Sequence, residues 1–197
     1  SAHPLDGYKF EMENYGFAKI SDLAELRGRQ VRIAGYVTDA GHMTTKKGSK
    51  FGKMTLNDYS GNTELILWEK NYVSWGNYLV NGQKLMLTGV YDEHRFRPGT
   101  MEFSIQNISL LDEVRKTMTK KIHLGVTLHD LSEEIVNFLE DNIRKYPGTT
   151  ELMITVKDVE RDMSVRLKSQ NRKILLSDEL IAFLAEHEEI NYSIEKS

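Results

Sequence analysis

Apolar side chains recur at every second position through much of residues 30–110, the period of strands with one buried face. Val31, Ile33 and Val37 share one face of residues 31–38, and Gly35 inside that run predicts a bend or bulge. Residues 53–57 alternate again. Asp58-Tyr59-Ser60-Gly61 is a turn tetrad, with Asp first and Gly last. Residues 62–68 form the returning strand of that hairpin. The alternation then breaks: Tyr72, Trp75, Tyr78 and Leu79 fall at roughly helical spacing until Asn81-Gly82 stops the segment. Residues 83–91 and 101–108 restore the strand period.

Three strands, a helix and two strands is the order of the five-stranded oligonucleotide-binding (OB) barrel. In that architecture the loop between strands one and two and the loop between strands four and five flank the ligand face. The first loop here carries Lys46, Lys47, Lys50 and Lys53 around Phe51, with no acid before Asp58. The second carries Arg95, Phe96 and Arg97. Lysine and arginine attract phosphates, and a ring offers a surface on which a base can stack. All eight residues are candidate nucleic-acid contacts. The competing reading of each loop is a solvated hairpin kept soluble by its charges. Trp68, at the end of strand three, suits either a stacking platform or a plug for the barrel end. Tyr72 and Trp75 are expected to join the core or cap the barrel bottom, and Tyr59 to pack locally.

Residues 1–29 read as a lead-in or linker, with a short helical turn over 21–26 capped by Ser21 and ended by Gly28. Residues 111–119 read as a connector, rich in charge and poor in periodicity. Residues 120–197 change style. Strands are expected at 121–126, 151–156, 163–167 and 190–194. One amphipathic helix should carry Leu131, Ile135, Val136, Phe138 and Leu139, with Asp130 or Ser132 as its cap, and a second should start at Ser177. This β-α-β-β-α-β order predicts a small two-layer α+β sandwich after the barrel.

Charge sharpens the division. The chain of 197 residues carries a formal net charge of −3, which argues against bulk coating of nucleic acid. Residues 30–110 nevertheless sum to +2, and residues 111–197 to −4. The front half is the better match to phosphates and the back half to a protein. Cysteine is absent, which rules out disulfides and thiolate metal sites and fits a cytoplasmic location. No apolar run approaches the roughly 20 residues that span a bilayer. Residues 1–6 lack the basic start and apolar core of a secretory leader.

Catalytic signatures are missing. Gly48-Ser49-Lys50-Phe51-Gly52-Lys53 does not have phosphate-loop spacing, and neither a nucleophile elbow nor a His-Glu-x-x-His pair occurs. The six histidines are scattered, and the runs Asp92-Glu93 and Glu188-Glu189 are most simply solvated. Neither a catalytic residue, a metal site nor a cofactor is expected.

The Val-x-Ile-Ala-Gly-x-Val strand (Val31 to Val37), Thr45-Lys46-Lys47-Gly48 and Thr-Leu-x-Asp-x-Ser-Gly (Thr55 to Gly61) resemble the OB domain near the C-terminus of the bacterial DNA polymerase III alpha subunit. The Ser1-Ala2-His3-Pro4-Leu5 segment is similar to the Ser-x-His-Pro-Leu that precedes this domain in that family. The resemblance is specific over residues 1–110 and looser over 111–197, which look like the family's small C-terminal domain. It implies a parent that is a DNA-directed DNA polymerase, a nucleotidyltransferase whose catalytic aspartates lie upstream. It further implies a barrel that engages single-stranded template, and a C-terminal domain that binds the tau subunit of the clamp loader in some members. Thr45 to Gly48 and Lys50 match the family's loop. Phe51 and Trp68 fall where members differ, and Arg95 and Arg97 rest on electrostatics alone.

On this reading the fragment is non-catalytic, monomeric, binds single-stranded DNA and docks a replisome partner, with no membrane role. Two alternatives stay open. One is an RNA-reading OB domain of the kind found in aspartate-type aminoacyl-tRNA synthetases. The other is a protein-assembly module whose lysines are merely solvated.

Overall fold

The computed structural model describes residues 2–169 and 171–197; Ser1 of the His-Pro-Leu segment lies outside them. The chain divides into two compact units, Ser1–Glu113 and Val114–Ser197.

The first unit is built on β1 (Gln30–Thr44), β2 (Lys50–Asn57), β3 (Asn62–Trp68), β4 (Lys84–Glu93) and β5 (Met101–Leu110), with a helical segment between β3 and β4. The sheet order is β3-β2-β1-β4-β5, antiparallel throughout. The edge strands β3 and β5 approach one another, but no paired register joins them among the described residues. Ile33, Val37, Met54, Leu56, Leu65 and Leu67 point inward and are almost wholly removed from water. Each such side chain contributes roughly 1.5–3 kcal/mol. Gly35 is not the bulge: its missing Cβ leaves room for the Asn57 carbonyl oxygen, which a Cβ would meet at 2.4 Å. The register irregularity falls instead between Thr38 and Gly41, where Asp39 adopts φ 50°.

The lead-in differs from the expected linker. It forms a 3-10 turn at Asp6–Tyr8, α1 (Lys9–Asn14) and a second turn at Ile20–Asp22. Leu5 and Tyr15 are fully buried, and Ile20 and Leu23 join the barrel core. The Ser21 hydroxyl donates to Asp22 instead of capping a helix. The buried Asp58 carboxylate accepts from the Ile20 N–H at 2.8 Å and from the Ser60 and Gly61 N–H groups, so the β2–β3 turn also pins the lead-in. The Ala18 N–H donates to the Arg32 carbonyl at 2.8 Å.

The second unit holds β6 (Thr119–Thr127), β7 (Pro147–Asp158), β8 (Met163–Lys168) and β9 (Asn191–Lys196) in the order β8-β7-β6-β9. Only β6 and β7 run parallel. The β6–β7 crossover contains α4 (Glu133–Lys145), and α5 (Asp178–Glu186) precedes β9. Ser132 and Ser177 cap these helices, accepting from the Ile135 and Leu180 N–H groups. Phe138 of α4 stacks on Phe183 of α5, with centroids 3.8 Å apart. The segment read as a connector is ordered too: a 3-10 turn at Leu111–Glu113 leads into the short helix α3 (Val114–Met118), with Leu111, Val114 and Met118 buried. That i, i+3, i+7 spacing is helical, and the charges between these residues hid it.

Candidate nucleic-acid interface

The loop joining β1 and β2 is a tight turn. The Gly48 N–H donates to the Thr45 carbonyl at 2.9 Å, and the Thr45 N–H to the Ser49 carbonyl at 2.8 Å. Gly48 takes φ 85°, which only glycine adopts freely. A turn over Thr45–Gly48 that ends on a left-handed glycine is a characteristic way to close a three-residue hairpin loop. Lys46 and Lys47 occupy its two corners, where side chains must point into water, and both are exposed. Lys50 begins β2 and is exposed as well. Among the described residues no acid pairs with these three lysines.

Phe51 lies on β2, not in the loop. The strand alternates: Gly52, Met54 and Leu56 are buried, while Phe51, Lys53 and Thr55 face outward. Phe51 sits directly opposite Trp68 on β3 and Met43 on β1. Opposed residues project to the same face. The two rings stack at 4.6 Å with 21° between their planes, and Met43 remains 44% exposed beside them. A row of three apolar side chains thus crosses three strands at the foot of the lysine turn. Trp68 is no plug. The barrel bottom is closed by Tyr72 and Trp75 of α2 (Glu69–Trp75) and by buried Leu79. Glu69, in the left-handed region at φ 41°, turns the chain from the outward Trp68 into this helix.

Gly52 couples the two faces. A Cβ there would come within 2.1 Å of a Leu79 methyl and 3.2 Å of the Tyr72 ring. With any larger residue here, the Leu79 side chain of the capping segment would have to shift.

The remaining candidates are arranged differently. Lys53 is tied to Glu64 across the β2–β3 ladder at 2.6 Å, so its charge is partly spent. Phe96 is 80% exposed at the tip of the β4–β5 loop, with the Arg95 guanidinium 5.5 Å from its ring centre. Arg97 is exposed. The stem of this loop is acidic: Arg27 donates to Asp92 at 2.7 Å and approaches Glu93, and Glu102 faces His94 at 3.7 Å. The Arg27 hydrogen bond holds the Asp92 carboxyl below the ordinary carboxylate range. Among the described residues no hydrogen bond, ion pair or ring stacking joins the β4–β5 loop to the lysine turn. Met43 escaped sequence reasoning because its register across the Thr38/Gly41 irregularity is not legible in the alternation. Among the described residues there is no cluster of three or more histidine, aspartate or glutamate side chains placed to hold a metal. Nor is any helix long and apolar enough to cross a membrane. The arrangement can chemically neutralise phosphates at the turn and offer a flat apolar surface next to it.

Residues 31–111 match the model of an OB-fold nucleic acid binding domain, and residues 122–195 match that of the DNA polymerase III alpha subunit, C-terminal domain. The DNA polymerase III subunit alpha of Haemophilus influenzae is 26% identical over 151 residues, covering 76% of this chain and 13% of that protein. Its counterpart from Borreliella burgdorferi is 23% identical over 177 residues, covering 86% of this chain and 15% of that protein. The chain therefore spans about an eighth of the length of the curated relatives it matches, as the 13% coverage states. Among solved structures, a domain of replication protein A from Methanococcus maripaludis is 21% identical over 47% of this chain and 92% of that chain, with a TM-score of 0.36. Asparaginyl-tRNA synthetase from Pyrococcus horikoshii is 18% identical over 48% of this chain and 22% of that chain, with a TM-score of 0.35. Likeness at that level is silent on function.

Proposed function

We propose that this chain, similar through both of its units to the C-terminal region of bacterial DNA polymerase III alpha subunits, binds single-stranded template DNA with its first unit and docks a replisome partner with its second. The fragment does no chemistry itself; on this reading nucleotidyl transfer belongs to the parent polymerase, in the cytoplasm. The candidate partner of residues 120–197 is the tau subunit of the clamp loader.

One observation carries the first half. Among the described residues three lysines without an acidic partner stand on and beside a hydrogen-bonded turn, next to the outward Met43–Phe51–Trp68 row on the β2–β3 side, where OB folds hold oligonucleotides. Lys46, Lys47 and Lys50 would neutralise successive phosphates while one base lies on the ring pair. Lys53, held by Glu64, would contribute less. Arg95, Phe96 and Arg97 would form a second, separate contact. Such binding is tolerant of sequence because every base has a flat face.

Counterion release gives the test a number. Each neutralised phosphate on a single strand contributes about −0.7 to the slope of log affinity against log salt. Three lysines predict a slope of about −2, and both arginines in addition would take it to about −3.5. Fluorescence anisotropy of a labelled dT oligomer, titrated at several salt concentrations, measures this directly. A slope near either value supports the reading and shows which loops engage. An absence of binding at low salt, or stronger binding to an RNA oligomer of matched length, overturns it.

A further inference from the structure

The core of the second unit stops one strand short of its sheet. Leu124 and Val126 on β6 are buried, at 1% and 6% exposure. Their register partners on β7, Ile154 and Val156, are half-buried. The next partners, Leu167 and Val165 on β8, are 53% and 57% exposed, and Met163 in the same row is 58% exposed. Every residue of β8 is exposed. Among the described residues the strand pairs only with β7, and its outer backbone edge carries no ladder. An apolar face thus runs continuously from the core to an open edge.

The opposite face of β8 carries Ser164, Arg166 and Lys168, of which Lys168 already lies 3.4 Å from Glu151 on β7 and Arg166 is the freer charge. Residues 157–173 sum to +3 in a half whose net charge is −4. Cationic side chains on an edge guard against pairing with an identical edge. Two copies joined along β8 would bring Arg166 and Lys168 against their own kind. A strand of opposite charge meets no such barrier.

We propose that β8 is a docking edge for an extended segment of a partner protein in which apolar and acidic residues alternate. An added strand obtains its main-chain hydrogen bonds from the edge and its selectivity from alternate side chains. Its apolar positions would extend the Met163–Val165–Leu167 row, and its acidic positions would fall beside Arg166 and Lys168. The inference deepens the docking role assigned to the second unit and rests on it.

The test uses the full 197-residue chain and three synthetic ten-residue peptides: one alternating valine and glutamate, one of the same composition with the glutamates in a block, and one alternating valine and lysine. Amide exchange is followed residue by residue, and affinity by calorimetry. The alternating acidic peptide should slow exchange along Met163–Lys168 and leave β9, the opposite edge, unchanged. The blocked and lysine peptides should bind at least tenfold more weakly. Arg166→Glu with Lys168→Glu should invert the preference between the glutamate and lysine peptides. Val165→Thr with Leu167→Thr, which keeps strand-forming residues at exposed positions, should weaken the acidic peptide at least tenfold without lowering the melting temperature. Protection elsewhere, equal binding of all three peptides, or concentration-dependent protection of β8 without peptide overturns the proposal. The broader docking role fails separately: it falls if tau does not bind the unaltered chain, and it survives without the β8 edge if tau binds the charge-reversed variant equally well.

Discussion

At the scale of single residues, the Phe51–Trp68 pair divides labour with the lysines. Truncating either ring should weaken single-strand binding by roughly 1–3 kcal/mol, the worth of one stacked base, with the salt slope unchanged. A change in slope with intact affinity would instead mean that the ring only positions a cation. Lys46→Ala with Lys47→Ala should do the opposite, flattening the slope by about 1.4. Lys53 offers a sharper case, because its partner can be removed instead. Glu64→Gln frees its ammonium, now held at 2.6 Å. If Lys53 borders the strand, binding tightens at low salt and the slope steepens by about 0.7. An unaltered slope would exclude Lys53 from the phosphate path. The ring pair was visible in the sequence as two separate aromatics; only the β2–β3 register made them neighbours.

At the scale of elements, the strand that carries the candidate contacts is also the strand that must lie closest to the capping segment. Gly52→Ala would force a Cβ to within 2.1 Å of Leu79. The expected cost is about 1–3 kcal/mol from overpacking, read as a lower urea midpoint with an unchanged m-value. Leu79→Ala in the same chain should recover part of it, which no loss of strand propensity alone would show. In the second unit the Ser177 cap was legible, since it stands just before a run of helical spacing, while the structure chose Ser132 over Asp130 for the first helix. Ser177 does more than the sequence shows: its hydroxyl also accepts from the buried Asn142 amide at 3.1 Å. Ser177→Ala should therefore cost more than the roughly 1 kcal/mol of an ordinary cap, and more than Ser132→Ala measured alongside it.

At the scale of the whole molecule, residues 1–29 belong energetically to the barrel. Removing them uncovers the faces that Leu5, Tyr15, Ile20 and Leu23 bury and leaves Asp58 without its Ile20 partner. The shortened chain should show a clearly lower unfolding midpoint for the first unit, with the strands of the second unit keeping their exchange protection. Acid sensitivity has a stated sign. Hydrogen bonds from Lys145 and Tyr146 lower the Glu179 carboxyl, and those from Lys120 and Lys121 lower Glu195. A depressed carboxyl contributes stability above its unfolded value and loses it as pH falls through the folded one. Stability of the second unit should hold at neutral pH and decline below the ordinary carboxylate range. Glu179→Gln should soften that decline slightly, because exposed pairs are worth little.

The alternation of apolar residues by itself determined the five strands of the first unit, and the helical spacings and serine caps determined the β-α-β-β-α-β order of the second. These signals are local: period two and period 3.6 survive whatever the chain meets later. The tertiary structure decided everything that depends on register and on which surfaces meet. It moved the irregularity of β1 from Gly35 to the Thr38–Gly41 step, placed Met43 beside Phe51 and Trp68, bound Lys53 to Glu64, and drew the lead-in onto the barrel. It also left the apolar side of β8 uncovered at the end of its sheet. These cross-strand partners lie 8 to 17 residues apart in the chain, and a one-residue slip would send each of them to the opposite face.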